Sequence, residues 1–205
     1  MKDPRIVKVA KNLVHYSTSV KKGDNVLIEF KDHWPKPLVS ALIDEIKSIG
    51  ARAFVTYNDT QLQRKSLQAA DDEWFEIMKE VDLLRMKKMQ AFIAINGRDN
   101  SYELADVPPE NMQKYMEKYA KPVHFEQRVK HTNWCILAFP NPSYAQASSM
   151  SSEAFEDFYF DVCSLDYAKM DKAMDPLKEL MDETDKVHLK GPGRTDLKFS
   201  IKGLN

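Results

Sequence analysis

Val26-Leu27-Ile28-Glu29-Phe30 and Ala91-Phe92-Ile93-Ala94-Ile95 are the stretches whose reading decides the fold. Each is a short, nearly continuous apolar run bounded by turn-forming residues, Lys22-Gly23-Asp24 before the first and Asn96-Gly97 after the second. Such runs predict strands buried on both faces, the pattern of a parallel sheet. Ala53-Phe54-Val55-Thr56-Tyr57 and Trp134-Cys135-Ile136-Leu137-Ala138 read the same way.

Outward from these runs the pattern turns helical. Asp3 before Pro4 opens a helix, with a side-chain acceptor at the cap and a proline at the first helical position. Ile6, Val9, Ala10, Leu13 and Val14 then mark one apolar face. Pro37 begins a second helix carrying Leu38, Ala41, Leu42, Ile46 and Ile49, closed by Gly50. A longer helical stretch runs from Thr60 to Met89 with a break near Ala70-Asp71-Asp72, and Pro108-Pro109-Glu110 opens another. Ser152 is placed to cap a helix through Phe155, Phe158 and Val162, and a last helix contains Ala173, Leu177 and Leu180.

Four strands alternating with helices predict an α/β fold: a flavodoxin-like, doubly wound, mostly parallel sheet with helices on both faces. The C-terminal region departs from this pattern. Val187-His188-Leu189 and Leu197-Lys198-Phe199-Ser200-Ile201, joined by Lys190-Gly191-Pro192-Gly193-Arg194, form a β-hairpin with no helix after it. A lone hairpin is only marginally stable. Either it pairs with the sheet or it begins a second domain absent from the chain, and the second is expected. The domains are then residues 1–184 and 185–205.

Composition narrows the function. The 205 residues carry 30 Lys+Arg against 31 Asp+Glu, a net charge of −1, with no block of like charges to track a nucleic-acid backbone. No run approaches the ~20 apolar residues of a membrane span, and the first residues lack the apolar core of a signal peptide. Cys135 and Cys163 have no metal or redox spacing and read as reduced, buried thiols of a cytoplasmic protein.

Recognisable catalytic motifs are scarce in the sequence. The junction after the first strand, Lys31-Asp32-His33-Trp34-Pro35, holds no glycine, and no dinucleotide or P-loop cradle occurs elsewhere. The five histidines include no i, i+4 pair, and no nucleophile elbow is present. His124-Phe125-Glu126 lacks the P-C-x-x-C partner of a deaminase site. What remains is position, because ligands of open α/β sheets meet the carboxyl ends of the strands. His33, Trp34, Arg98 and Asn100 stand there; Arg98 with Asn100 is suited to a carboxylate or a partner loop, and the same residues also read as ordinary polar turns.

Several segments together resemble one family. Asp3-Pro4-Arg5-Ile6, Leu13-Val14-x-Tyr16-Ser17 and Lys22-Gly23-Asp24-x-Val26-Leu27-Ile28 are similar to the start of the metallo-aminopeptidases of the aminopeptidase T, aminopeptidase S and PepS type. The likeness continues at Asn100-x-Tyr102-Glu103-Leu104-x-Asp106-Val107-Pro108 and at Trp134-Cys135-Ile136-Leu137-x-x-Pro140-x-Pro142-x-x-Ala145. It is strongest at Leu189-Lys190-Gly191-Pro192-Gly193 and Thr195-Asp196-Leu197-x-Phe199-Ser200-Ile201-Lys202-Gly203.

The resemblance implies the amino-terminal domain of a longer peptidase, ending just inside the catalytic half. In the complete enzyme two divalent ions, zinc or cobalt, activate water and polarise the scissile carbonyl. Their ligands (two glutamates, two histidines, a tyrosine and an aspartate) belong to the later half, and no position here matches those motifs. The chain is thus expected to hold no metal, cofactor or catalytic residue and to be inactive alone. It would enclose the cavity for short peptides, with His33, Trp34, Arg98 and Asn100 controlling access, in a homodimer without nucleic-acid or membrane partners. The alternative is a non-catalytic α/β binding or interaction module.

Overall fold

A computed structural model describes residues 3–204; Met1, Lys2 and Asn205, which entered the readings of the chain ends, lie outside the described residues. Asp3 caps helix α1 (Pro4–Lys11) by accepting the Arg5 N–H at 2.8 Å. The helix widens into a π-helical segment, π1 (Asn12–Ser17), closed where the Thr18 N–H and hydroxyl both reach the Leu13 carbonyl, at 3.0 and 2.8 Å. Strand β1 (Asn25–Lys31) follows, then α2 (Lys36–Ile49), which ends at Gly50 in the left-handed conformation, φ 81°. Glycine suits that position because a side chain there meets the following carbonyl.

Strand β2 (Arg52–Asn58) leads to α3 (Thr60–Ala69) and α4 (Asp72–Met86), separated at the expected break. After β3 (Ala91–Asn96), helix α5 (Pro109–Lys114) runs into a long π-helical segment, π2 (Tyr115–Arg128), and a final turn, α6 (Val129–His131). Pro122 sits inside π2, and its missing N–H would interrupt a regular α-helical ladder. Strand β4 (Asn133–Ala138) precedes α7 (Pro142–Ala147) and α8 (Ser152–Cys163). The cap of α8 is Ser151, whose hydroxyl accepts the Ala154 N–H at 3.2 Å, so the expected cap at Ser152 is displaced by one residue.

The four strands are parallel in the order β2-β1-β3-β4. Strand alternation sends Val26, Ile28 and Phe30 with Ala91, Ile93 and Ile95 to one face, where they form the main core with Val9, Leu42 and Phe160 from α1, α2 and α8. Leu27 and Phe92 point to the other face and meet Met86, Met89 and Val123. Both faces are therefore covered, and the fold is the doubly wound α/β arrangement expected. Cys135 and Cys163 are free thiols raised in pKa chiefly by burial.

The chain divides into two compact units, residues 1–164 and 165–205. The second holds α9 (Tyr167–Glu183), capped by Asp166, and an antiparallel pair, β5 (Lys186–Lys190) and β6 (Asp196–Ser200). The division precedes α9, whereas the sequence pattern places a boundary after residue 184. The hairpin makes its own two-stranded sheet, with Phe199 opposite Val187 and Leu197 opposite Leu189. No helix among the described residues is long and apolar enough to cross a membrane.

Candidate functional site

The order β2-β1-β3-β4 reverses direction at β1, so the carboxyl ends of β1 and β3 open the crevice where ligands of such sheets collect. Asp32 organises it. This residue leaves β1 in the left-handed region, φ 58°, which aspartate tolerates better than most residues. Its buried carboxylate accepts the Thr60 N–H at 2.9 Å and the Thr60 hydroxyl at 2.7 Å, and lies 3.4 Å from the Asp99 N–H. One side chain thereby ties together the loops after β1, β2 and β3.

Gly97 allows a close approach between two of these loops. A Cβ at Gly97 would lie 2.4 Å from Pro35 Cδ and 2.9 Å from the Lys31 carbonyl oxygen. The His33 and Trp34 rings sit 4.7 Å apart, tilted by 34°. The Trp34 indole N–H donates to Asp99, and His33 Nδ1 lies 3.8 Å from the other Asp99 carboxylate oxygen.

The expected access residues are brought together only in part. His33 and Asn100 line a shallow hollow of about 130 Å³ with Asp32, Tyr57, Asp59 and Glu103. Trp34 opens on its other side onto a larger, more apolar hollow of about 450 Å³ shared with Ile6, Phe139 and Phe160. Arg98 lines neither: its carbonyl accepts from the Asn141 side chain at 3.1 Å, and its Nε is buried with no hydrogen-bond partner among the described residues. Asn100 turns inward on its own loop, accepting the Tyr102 N–H at 3.0 Å and donating to Glu103 at 3.3 Å. Arg98 and Asn100 do not line a common hollow.

Sequence reasoning missed Asp32, Thr60, Asp99 and Glu103. The only sign in the sequence was the concentration of Asp and Asn after the strands. In the fold these carboxylates give the crevice a negative character. The Tyr57 phenol is pushed up in pKa by burial and then by the charges of Asp59 and Asp32. The arrangement suits a cationic or amino-bearing group held beside aromatic rings.

These carboxylates do not fit a metal ion. Asp32 is committed to Thr60, Asp59 caps α3 through the Leu62 N–H at 3.0 Å, and Asp99 receives the Trp34 indole. Glu103 lies 3.1 Å from Arg64, a charge contact rather than an aligned hydrogen bond. Among the described residues no group of three or more His, Cys, Asp or Glu is disposed to hold a metal.

Comparison with known proteins bears on the fold and the family. No curated protein matches the chain. Among solved structures, wild-type AmpT from Thermus thermophilus is similar, with a TM-score of 0.71 and 23% sequence identity over 96% of this chain and 53% of that one. The likeness is one of fold, and the chain spans about half the length of that protein. A model of the thermophilic metalloprotease family, M29, matches residues 2–203, and the chain belongs to that family.

Proposed function

We propose that this chain serves as the amino-terminal domain of a metal-dependent aminopeptidase acting on short peptides. In this reading it walls the substrate cavity and leaves the metal ions, zinc or cobalt, to residues of a catalytic half. The observation that carries it is the family match over residues 2–203. The span of 53% of the similar Thermus chain gives that reading its room for a further half.

The crevice residues have tasks that need no metal. Asp32 and Asp59 supply negative potential toward a peptide's free amino end, while the His33 ring lines the same hollow and the Trp34 ring borders the neighbouring, more apolar one. Arg98 and Asn100 hold the rim through their loop contacts. The domain's contribution is to orient and to exclude water, both of which act through binding rather than bond-making.

Hydrolysis of leucine-p-nitroanilide by the 205-residue chain, with zinc or cobalt added, tests the proposal. The expected result is no turnover above buffer, together with saturable, millimolar or tighter binding of a short peptide that is lost when its amino end is acetylated. Metal-stimulated turnover by the chain alone would refute the division of labour. Equal binding of the acetylated peptide would refute the role of the crevice.

A further inference from the structure

A second cavity lies on the α3–α4 side of the sheet, with a volume of about 330 Å³. That is the lower end of the ~300–1,000 Å³ range of small-molecule sites. Its floor is made by the alternate residues of two strands, Glu29 and Lys31 on β1 with Thr56 and Asn58 on β2. Its sides come from α3 and α4, and π2 contributes Tyr115 and Tyr119.

The polar groups divide into satisfied and unsatisfied sets. Asp82 and Arg85 pair at 2.8 Å, Arg85 also donates to the Thr56 hydroxyl at 2.9 Å, and the Tyr119 hydroxyl donates to Asp82 at 2.7 Å. These four groups complete one another. Glu29, by contrast, receives among the described residues only the Asn58 side-chain N–H, at 3.1 Å on one oxygen. Lys31 has no hydrogen-bond or ion-pair partner among the described residues, and Gln63 Oε1 is buried with none.

Glu29 and Lys31 stand two residues apart on one strand face, roughly 6.5–7 Å along the chain. They influence each other's charge without meeting as an ion pair. Burial pushes the Glu29 carboxyl up and the Lys31 ammonium down, so each charge is held at a cost that a ligand charge would relieve. One carboxylate oxygen and one ammonium, both open to the same small cavity, ask for a ligand carrying both opposite charges. Leu62, Leu67, Trp74 and Met78 on the sides ask for an apolar body between them.

We infer that this cavity binds a free α-amino acid with an apolar side chain, its carboxylate on Lys31, its ammonium on Glu29 and its side chain against Leu62, Trp74 and Met78. These residues all belong to the first unit, and they bind the ligand whether or not the chain takes part in peptide hydrolysis.

Calorimetric titration of the 205-residue chain with L-leucine tests the assignment. Three analogues follow: 4-methylpentanoate, which lacks the ammonium; 3-methylbutylamine, which lacks the carboxylate; and glycine, which lacks the side chain. The expected result is saturable one-site binding of leucine, with each analogue at least tenfold weaker. Lys31→Met and Glu29→Gln should each weaken leucine at least tenfold with an unchanged circular dichroism spectrum. The analogue series uses the unaltered chain, so it decides the assignment even where a variant fails to fold. Absence of saturable leucine binding, equal binding of any analogue, or undiminished binding by a folded variant would overturn the assignment.

Discussion

Replacing Asp32 with alanine should loosen the crevice and destabilise the first unit by an amount the structure lets one work out. The substitution removes two hydrogen bonds, at 2.9 and 2.7 Å, from Thr60 to a buried carboxylate. Bonds to a charged group contribute about 1.5 kcal/mol or more each, and the Thr60 donors left behind are buried. Alanine is also less at ease than aspartate at φ 58°, which adds up to about 1 kcal/mol. The sum is about 3–4 kcal/mol. For a protein of this size each kcal/mol lowers Tm by about 2–4 °C, so a fall of roughly 6–16 °C is expected. Thermal unfolding followed by circular dichroism measures it. Thr60→Val, which removes only the hydroxyl bond, should cost about 1 kcal/mol, and the double variant should fall short of the summed losses because the two residues share that bond. A Tm change below about 2 °C for Asp32→Ala would refute the role of Asp32 as the tie between three loops.

Gly97→Ala should cost about 1–3 kcal/mol, because the added methyl would meet Pro35 Cδ at 2.4 Å and the Lys31 carbonyl at 2.9 Å; an unchanged urea midpoint would show that the loops do not pack this closely. Burial, aided by the Arg128 charge, lowers the His124 imidazole to about 4 from its ordinary 6.5. The folded state therefore resists protonation, and its stability is lost as pH falls from 6.5 toward 4, by roughly 2 kcal/mol between about pH 6.5 and 5. His124→Phe should flatten that part of the profile; a slope equal to that of the parent chain would contradict the placement of His124. Glu29 shifts the opposite way: its raised pKa means stability is fully present below the unfolded value of 4.5 and is lost as pH rises toward the folded one. Glu29→Gln should therefore gain in Tm over the parent as pH is raised from about 4 to 8, and a pH-independent difference would count against the burial of that carboxyl.

Much of the architecture could be read from local pattern. β1 and β3 are central strands covered on both faces, so their sequences are continuous apolar runs. β2 and β4 are edge strands that leave Phe54, Val55, Tyr57, Trp134 and Ile136 over a third exposed, yet their β-branched and aromatic content still marked them. Gly50 ended α2 because its left-handed backbone is a local demand. The π-helical segments were not visible, since apolar residues at spacings of three and four fit either helix type.

The crevice was legible only as a place. His33, Trp34, Arg98 and Asn100 do lie after the strands, but the residue that joins the loops is Asp32, whose partner Thr60 is 28 positions away. Nothing local distinguishes such an aspartate from a turn residue. Glu29 and Lys31 were in plain view inside and beside an apolar run. Their meaning depends on what faces them, and α3, α4 and π2 are brought there by tertiary packing alone.

The proposed division between a metal-free wall and a metal-bearing half is tested most directly by diffraction from crystals of the 205-residue chain soaked in zinc or cobalt, with anomalous difference maps. The expected map contains no pair of metal peaks within the ~3.5–4 Å of a two-metal site. Two such peaks, fully ligated by side chains of this chain alone, would contradict it.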